Sequence, residues 1–172
     1  EISEVLKKEK ELNKNILRAF HVPDALIHPP KLFDLVAKEI RAYGGKILTN
    51  HQVVSIKQTN NSISSIVVSH NGVKNNIECD GIINAAGPWS GKVAKLINQN
   101  VELQLTRGCG IFFTGQLVSK AINRCRIPNN NDIMCPSGKE SLWGTTSEVV
   151  NNPDTSKTSP DEIQELLLGA EE

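Results

Sequence analysis

The stretch GIINAAGPWSGKVAKLI, Gly81 to Ile97, changes character partway along, and that change points to the fold class. Gly81 to Ala85 reads as a buried apolar strand and Ala86-Gly87-Pro88 as a sharp turn. Trp89 to Ile97 reads as a helix with Ser90 near its start. A strand that enters a helix through small residues is a layout that brings backbone close to a cofactor or phosphate. The same small residues also let a helix pack closely on its strand, and this stretch alone leaves both readings open. Either way the chain is expected to be α/β, with helices and strands mixed.

Upstream lies a β-rich block. KILTN (46–50) reads as a short strand, HQVVSIKQ (51–58) alternates, and Asn60-Asn61 suits a hairpin turn. SISSIVVSH (62–70) returns, Asn71-Gly72 is a second tight-turn pair, and VKNNIECD (73–80) closes a three-stranded antiparallel meander. Before the block, KLFDLVAKEIRAYGG (31–45) predicts an amphipathic helix with Leu32, Leu35, Val36 and Ile40 on one face and Gly44-Gly45 as its stop. PDALIHPP (23–30) is loop-like because its prolines lack backbone donors. The opening residues Glu1 to Leu12 carry Glu and Lys at helical spacing around Ile2, Val5, Leu6 and Leu12.

Downstream, VELQL (101–105) and GIFFTG (110–115) read as strands, with Leu117 to Ile122 as a link. INRCRIP (122–128), NDIMCP (131–136) and SLWGTTS (141–147) read as three more, separated by NNN and SGKE turns. Asn151 to Pro160 is loop. Ser159, Pro160 and Glu162 fit the N-cap, N1 and N3 positions of a final helix running to Leu168.

The 172 residues are 38% apolar, and 19 basic residues balance 19 acidic ones, so the chain shows no basic excess of the kind that marks a nucleic-acid surface. No apolar run approaches the ~20 residues of a membrane-spanning helix. Cys79, Cys109, Cys125 and Cys135 follow no CxxC pattern, which predicts reduced thiols in a cytoplasmic setting. His21, His28, His51 and His70 lack metal-ligand spacing, so no metal site is expected. The chain begins at Glu1 and stops at Glu172 within helical stretches, and the expectation is an excised piece of a larger protein.

Between Leu103 and Asn131 stand Arg107, Lys120, Arg124 and Arg126 with no acidic residue. Cations without counter-charges can hold a phosphate or carboxylate, although single surface cations are more often simply solvated. In a strand Arg124 and Arg126 would share one face and Cys125 the other. Gly144 followed by Thr145 and Thr146 sets hydroxyls beside a glycine, an arrangement suited to a polar ligand and equally ordinary in a strand. Cys109 in RGCG, near Arg107, is read as incidental rather than nucleophilic.

Taken in order, VPDALIHPPKLFDLVAKEIRAYGGKILTNHQVVSI, CDGIINAAGPWS and INRCRIPNNNDIMCPSGKESLWGTTS resemble the middle of FAD-dependent glycerol-3-phosphate dehydrogenases. The likeness is to the A subunit of the anaerobic type, within the D-amino-acid-oxidase-like flavoproteins. NAAGPWS marks the broad group, while INRCR-P followed by GTTS marks the glycerophosphate branch. The resemblance implies the central part of an FAD-binding fold plus part of an antiparallel-sheet substrate domain. Residues 1–28 would lead from the substrate domain, 29–100 would form the middle of the FAD domain, and 101–172 would begin the substrate domain. The family's GxGxxG turn is missing, since Gly108 and Gly110 precede a strand rather than a helix.

By the same resemblance, Val53 lies by the adenine side of FAD, and Ala85, Ala86, Gly87 and Trp89 line its path. Arg107 stands at the family's K/R-G motif facing the active site, with Gly144 and Thr145 approaching the same region as substrate-binding residues. Gly110 occupies the place where aerobic members carry a histidine, so the proton acceptor stays unassigned. The implied reaction takes sn-glycerol 3-phosphate to dihydroxyacetone phosphate with hydride transfer to FAD. Electrons would pass on through quinone-linked partner subunits, placing the enzyme in the cytoplasm or at the inner face of the membrane. The excised piece itself is expected to be inactive and to lack FAD. The alternatives are an FAD enzyme acting on an amine or hydroxy acid, and a small non-enzymatic α/β binding module.

Overall fold

The computed structural model describes residues 2–127, 130 and 132–171. In chain order its elements are α1 (Ile2–Lys8), α2 (Pro29–Ala42), β1 (Gln52–Thr59), β2 (Ser62–His70), β3 (Val73–Glu78), α3 (Ser90–Ala94), β4 (Leu105–Arg107), β5 (Gly110–Thr114), β6 (Ile122–Asn123), β7 (Ile133–Ser137), β8 (Glu140–Gly144), β9 (Glu148–Val150) and α4 (Pro160–Glu171). They divide into a meander unit, Ile27–Gln104, and a sheet unit made of Glu1–Leu26 and Leu105–Glu172.

In the meander unit, β1, β2 and β3 form the expected antiparallel sheet in sequence order. The turns explain its register. Asn60 and Asn61 sit at φ 51° and 62°, and Asn71 and Gly72 at 49° and 81°, the paired left-handed conformations of a two-residue hairpin. Those turns set Val53 opposite Val68 and Ile66 opposite Ile77. Val68 is the buried centre, flanked by Ser65, whose hydroxyl donates to Asn76 Oδ1 at 3.0 Å. His51 and His70 stack with ring centroids 4.4 Å apart.

Helix α2 starts at Pro29, where a proline costs no hydrogen bond, and His28 Nδ1 accepts from Lys31 N at 3.3 Å. It ends as Gly45 N reaches back to Ile40 O at 2.9 Å across the left-handed Gly44. The expected stop at Gly44-Gly45 is therefore correct.

Two expected strands of this unit do not form. Lys46–Asn50 ends in a turn because Asn50 takes φ 58° and His51 Nδ1 donates to Thr49 O at 2.7 Å. Gly81–Ala85 lies outside every sheet and is not buried: Ile83 is 95% exposed. An extended segment becomes a strand only beside a free edge in register, and among the described residues none lies along it. The helix expected over Trp89–Ile97 is a single-turn 3-10 segment (Gly87–Trp89), α3, and a second such turn (Lys95–Ile97) closed by left-handed Asn98.

In the sheet unit, β5, β8, β7 and β6 form a four-stranded antiparallel sheet in that order, and β4 pairs with β9. Trp143, Val118 and Leu166 make the apolar core, with Trp143 Nε1 donating to Leu166 O of α4 at 3.0 Å. Ser141, fully buried, accepts from Leu117 N at 2.8 Å and donates to Gly115 O at 3.3 Å. The carboxylate of buried Glu9 accepts from both the amide and the hydroxyl of Ser119. That link takes over where α1 ends, at Lys8 rather than Leu12.

Several strands are shorter than expected. Of VELQL only Leu105 joins β4, because its partner β9 is three residues long. INRCRIP contributes only Ile122–Asn123, since Arg124 N donates to Asp132 O at 3.0 Å and the chain then turns. Arg124 and Arg126 therefore do not share a strand face. In SLWGTTS the strand closes at Gly144, where the Gly144–Thr145 peptide is cis. The NNN turn includes Asn129 and Asn131, which lie outside the described residues. The SPDE reading holds: Ser159 Oγ accepts from Glu162 N at 3.2 Å, and Ser159 N donates to Glu162 Oε2 at 2.9 Å.

Candidate functional site

Three separated pieces of the sheet unit meet around one carboxylate. β4 delivers Arg107, and the link to β5 passes so close to the segment after β8 that only glycine fits. A Cβ added at Gly108 would sit 2.7 Å from Thr146 O. Thr146 N donates to Cys109 O at 3.0 Å, and Cys109 N donates to Thr146 Oγ1 at 3.1 Å. This pairing presents the Thr146 hydroxyl toward α4, where it donates to Glu162 Oε1 at 3.0 Å.

Glu162 is buried, 3% exposed, and is the hub of the cluster. Its Oε2 accepts from the Ser159 amide at 2.9 Å and forms an ion pair with Arg107 Nη2. Its Oε1 accepts from Thr146 and from the Cys109 thiol, at 3.0 and 3.7 Å. The Ser159 amide, and then the Thr146 hydroxyl and the Arg107 guanidinium, outweigh burial and hold its pKa down at about 2 against an ordinary 4.5. Glu162 is therefore a fixed anion, unsuited to accept a proton near neutral pH.

Arg107 is held by that anion, with its side chain 18% exposed. Its Nε is buried and has no hydrogen-bond partner among the described residues. An orphaned guanidinium N–H is costly, about 1–3 kcal/mol, unless an acceptor reaches it. The acid-free basic stretch thus acquires counter-charges from outside itself: Glu162 for Arg107 and Asp132, at 2.6 Å, for Arg126. Arg124 lies 4.9 Å over the Trp143 ring and donates to Gly169 O. These arginines are built into the fold rather than standing as a row of bare cations.

Of the expected substrate residues, Gly144 and Thr145 stand against the link that follows Arg107. Gly144 is buried against Cys109 and Gly110, and exposed Thr145 lies beside Gly108. Cys109 spends its thiol on Glu162 and Thr146. Burial pushes the Cys135 thiol upward, the charge of Asp24 adding to it. Among the described residues no group of three His, Cys, Asp or Glu could hold a metal ion.

The residues expected to line a cofactor, Val53, Ala85, Ala86, Gly87 and Trp89, all belong to the meander unit. Ala85 to Trp89 form one continuous turn, knitted by Asn84, which accepts from Ala86 N at 3.3 Å and donates to Ser90 O at 3.0 Å. No pattern in the sequence singles out Asn84 for this task. Val53 stands half-buried on β1, which packs against the turn Lys95–Ile97. The backbone at Gly87 takes φ 52°, a Cβ there would meet nothing within 4 Å, and Trp89 is 45% exposed. The backbone of this turn is open at Gly87. A GxGxxG turn is not in this sequence.

A family model described as FAD dependent oxidoreductase matches residues 1–172. The A1 subunit of the anaerobic glycerol-3-phosphate dehydrogenase of Haloferax volcanii is 28% identical over 157 residues, which is 85% of this chain and 27% of that protein. The A subunit of the anaerobic glycerol-3-phosphate dehydrogenase of Escherichia coli K12 is 26% identical over 167 residues, 95% of this chain and 31% of that protein. The chain thus spans less than a third of the length of these curated relatives. The crystal structure of glycerol-3-phosphate dehydrogenase from Bacillus halodurans, complexed with FAD, superposes with a TM-score of 0.78 at 17% identity. It covers 98% of this chain, and the chain covers 36% of it. Matched along its full length, the chain belongs to the FAD dependent oxidoreductase family.

Proposed function

We propose that the protein carrying this chain oxidises sn-glycerol 3-phosphate to dihydroxyacetone phosphate, with FAD as the hydride acceptor. The observation that carries this reading is Arg107, fixed on one side by Glu162 while its side chain stays 18% exposed and able to meet a ligand. A phosphate oxygen is the partner such a donor suits, because guanidinium–phosphate hydrogen bonds are charge-assisted and directional. The relatives named as glycerol-3-phosphate dehydrogenases supply the substrate class.

FAD, when bound, supplies the two-electron chemistry at the substrate carbon. In this reading the meander unit belongs to the FAD domain, where Val53, Ala85, Ala86, Gly87 and Trp89 would hold the cofactor. The sheet unit belongs to the substrate domain. There Arg107 anchors the phosphate, exposed Thr145 offers a hydroxyl to the glycerol moiety, and Gly144 keeps the backbone near them. The proton leaving the substrate hydroxyl goes to a base other than Glu162, whose acidity disqualifies it.

Electrons then leave toward a quinone through partner subunits, with the enzyme cytoplasmic or peripheral at the inner membrane face. No described helix is long and apolar enough to cross a membrane. The 172 residues alone would neither retain FAD nor turn over substrate, because they present one wall of the cofactor site and no GxGxxG turn.

The test is Arg107→Ala in the full-length, FAD-loaded enzyme. Loss of a charge-assisted phosphate contact of about 1.5–3 kcal/mol raises KM for glycerol 3-phosphate roughly ten- to hundredfold. An unchanged KM removes Arg107 from the site, and a preference for an amine or hydroxy acid would move the enzyme to a different branch of the family.

A further inference from the structure

We propose that Glu162 is the positioning residue for Arg107, holding the guanidinium in a fixed pose before substrate arrives. The inference rests on the reading of Arg107 as the phosphate anchor.

A glutamate at the third position of a helix ordinarily needs only the N-cap amide and can do that work at the surface. Glu162 does this and more. It is 3% exposed and receives hydrogen bonds from Arg107, Thr146, Cys109 and Ser159, which come from β4, the segment after β8, the link before β5 and the start of α4. Helix capping does not call for that convergence. Stability alone does not call for all four partners either, since an ion pair taken out of water gives back much of its attraction as desolvation. What the arrangement does secure is geometry. A carboxylate gripped at both oxygens cannot rotate, so the Nη2 it holds cannot move, and the remaining donors of Arg107 keep one direction. Fixing a long side chain in advance removes the cost of ordering it when a ligand binds.

The pair also leaves Arg107 without net charge in its immediate surroundings. It would bind through aimed N–H groups rather than as a bare cation, so removing the carboxylate should weaken binding even though it unmasks a positive charge.

Glu162→Gln tests this in the full-length, FAD-loaded enzyme, alongside Arg107→Ala and the double variant. Gln is nearly isosteric and keeps the capping role. Three quantities are read: KM for sn-glycerol 3-phosphate, the Kd of dihydroxyacetone phosphate by calorimetry, and the thermal midpoint. Positioning predicts that Glu162→Gln raises KM and Kd about tenfold, and that the double variant is no worse than Arg107→Ala alone. A control away from the site, Ser119→Ala, removes the hydroxyl that donates to Glu9 and should lower the midpoint while leaving KM in place. If Glu162→Gln lowers only the midpoint, or tightens binding, the positioning role is wrong. If Arg107→Ala itself leaves KM unchanged, the site reading is what has failed. Should Glu162→Gln not fold, Thr146→Val decides: it removes the shorter of the two hydrogen bonds on Oε1, and a rise in KM supports the proposal whereas an unchanged KM overturns it.

Discussion

In the meander unit the apolar stripe of α2 stands in solvent, with Leu35 54% and Phe33 68% exposed, while Val68 and Ala94 are its buried apolar residues. In the sheet unit α4 sinks Leu166 to 1% exposure against Trp143 and buries Glu162 beside it. The first unit is held mainly by hydrogen bonds between sequence neighbours, as β1, β2 and β3 follow one another through two-residue turns. The second is held by partners far apart in sequence, such as Arg107 with Glu162 and Ser119 with Glu9. Local pairing builds a surface on which something can lie. Long-range pairing builds a buried polar cluster. The difference matches the two tasks proposed for them, lining a cofactor and fixing a substrate anchor.

Leu166 marks that difference most strongly. Leu166→Ala should cost about 2–5 kcal/mol, the usual toll of a cavity at a fully buried leucine. Urea unfolding in a Trp89→Phe background, where Trp143 is the remaining tryptophan, reports on the sheet unit directly. A loss below about 1 kcal/mol would mean that α4 does not close this core.

Acid should act next. Because Glu162 is held at about 2 in the fold against an ordinary 4.5, its contribution is fully present above pH 4.5. That contribution drains away as the pH falls toward 2 and the carboxylate takes up a proton. The thermal midpoint of the sheet unit should fall through that window, and Glu162→Gln should flatten the fall. An unchanged slope in the variant would show that Glu162 does not carry the acid sensitivity.

Leu35→Ser on α2 should change least, within about 0.5 kcal/mol in the 172-residue chain, because its side chain is already in water. A large loss would show that the α2 face is packed, and the two units would then be alike in this respect.

The meander was legible because its signals are local. Asn60-Asn61 and Asn71-Gly72 accept left-handed backbone, and alternation between them fixes which side faces inward. The α4 cap was legible for the same reason, as Ser159, Pro160 and Glu162 lie within four residues. What could not be read was where Glu162 points. Its partner Arg107 is 55 residues away, and no periodicity links them. The Arg124-Cys125-Arg126 alternation misled because strand periodicity holds only where a partner edge exists, and β6 stops at Asn123. Gly81–Ala85 misled in the same way: apolar content signals burial only when another layer covers it, and Ile83 has none among the described residues. The family resemblance named Arg107, Gly144 and Thr145 as candidates, whereas the Glu162 hub that holds Arg107 emerged only from the fold.

The proposed oxidation of glycerol 3-phosphate at an FAD is read out most plainly by the flavin itself. The measurement is an anaerobic titration of the full-length, FAD-loaded protein with sn-glycerol 3-phosphate, followed by the oxidised-flavin absorbance. Stoichiometric bleaching with dihydroxyacetone phosphate as product is the expected result. Retention of the oxidised spectrum with glycerol 3-phosphate, together with bleaching by an amine or a hydroxy acid, would contradict it.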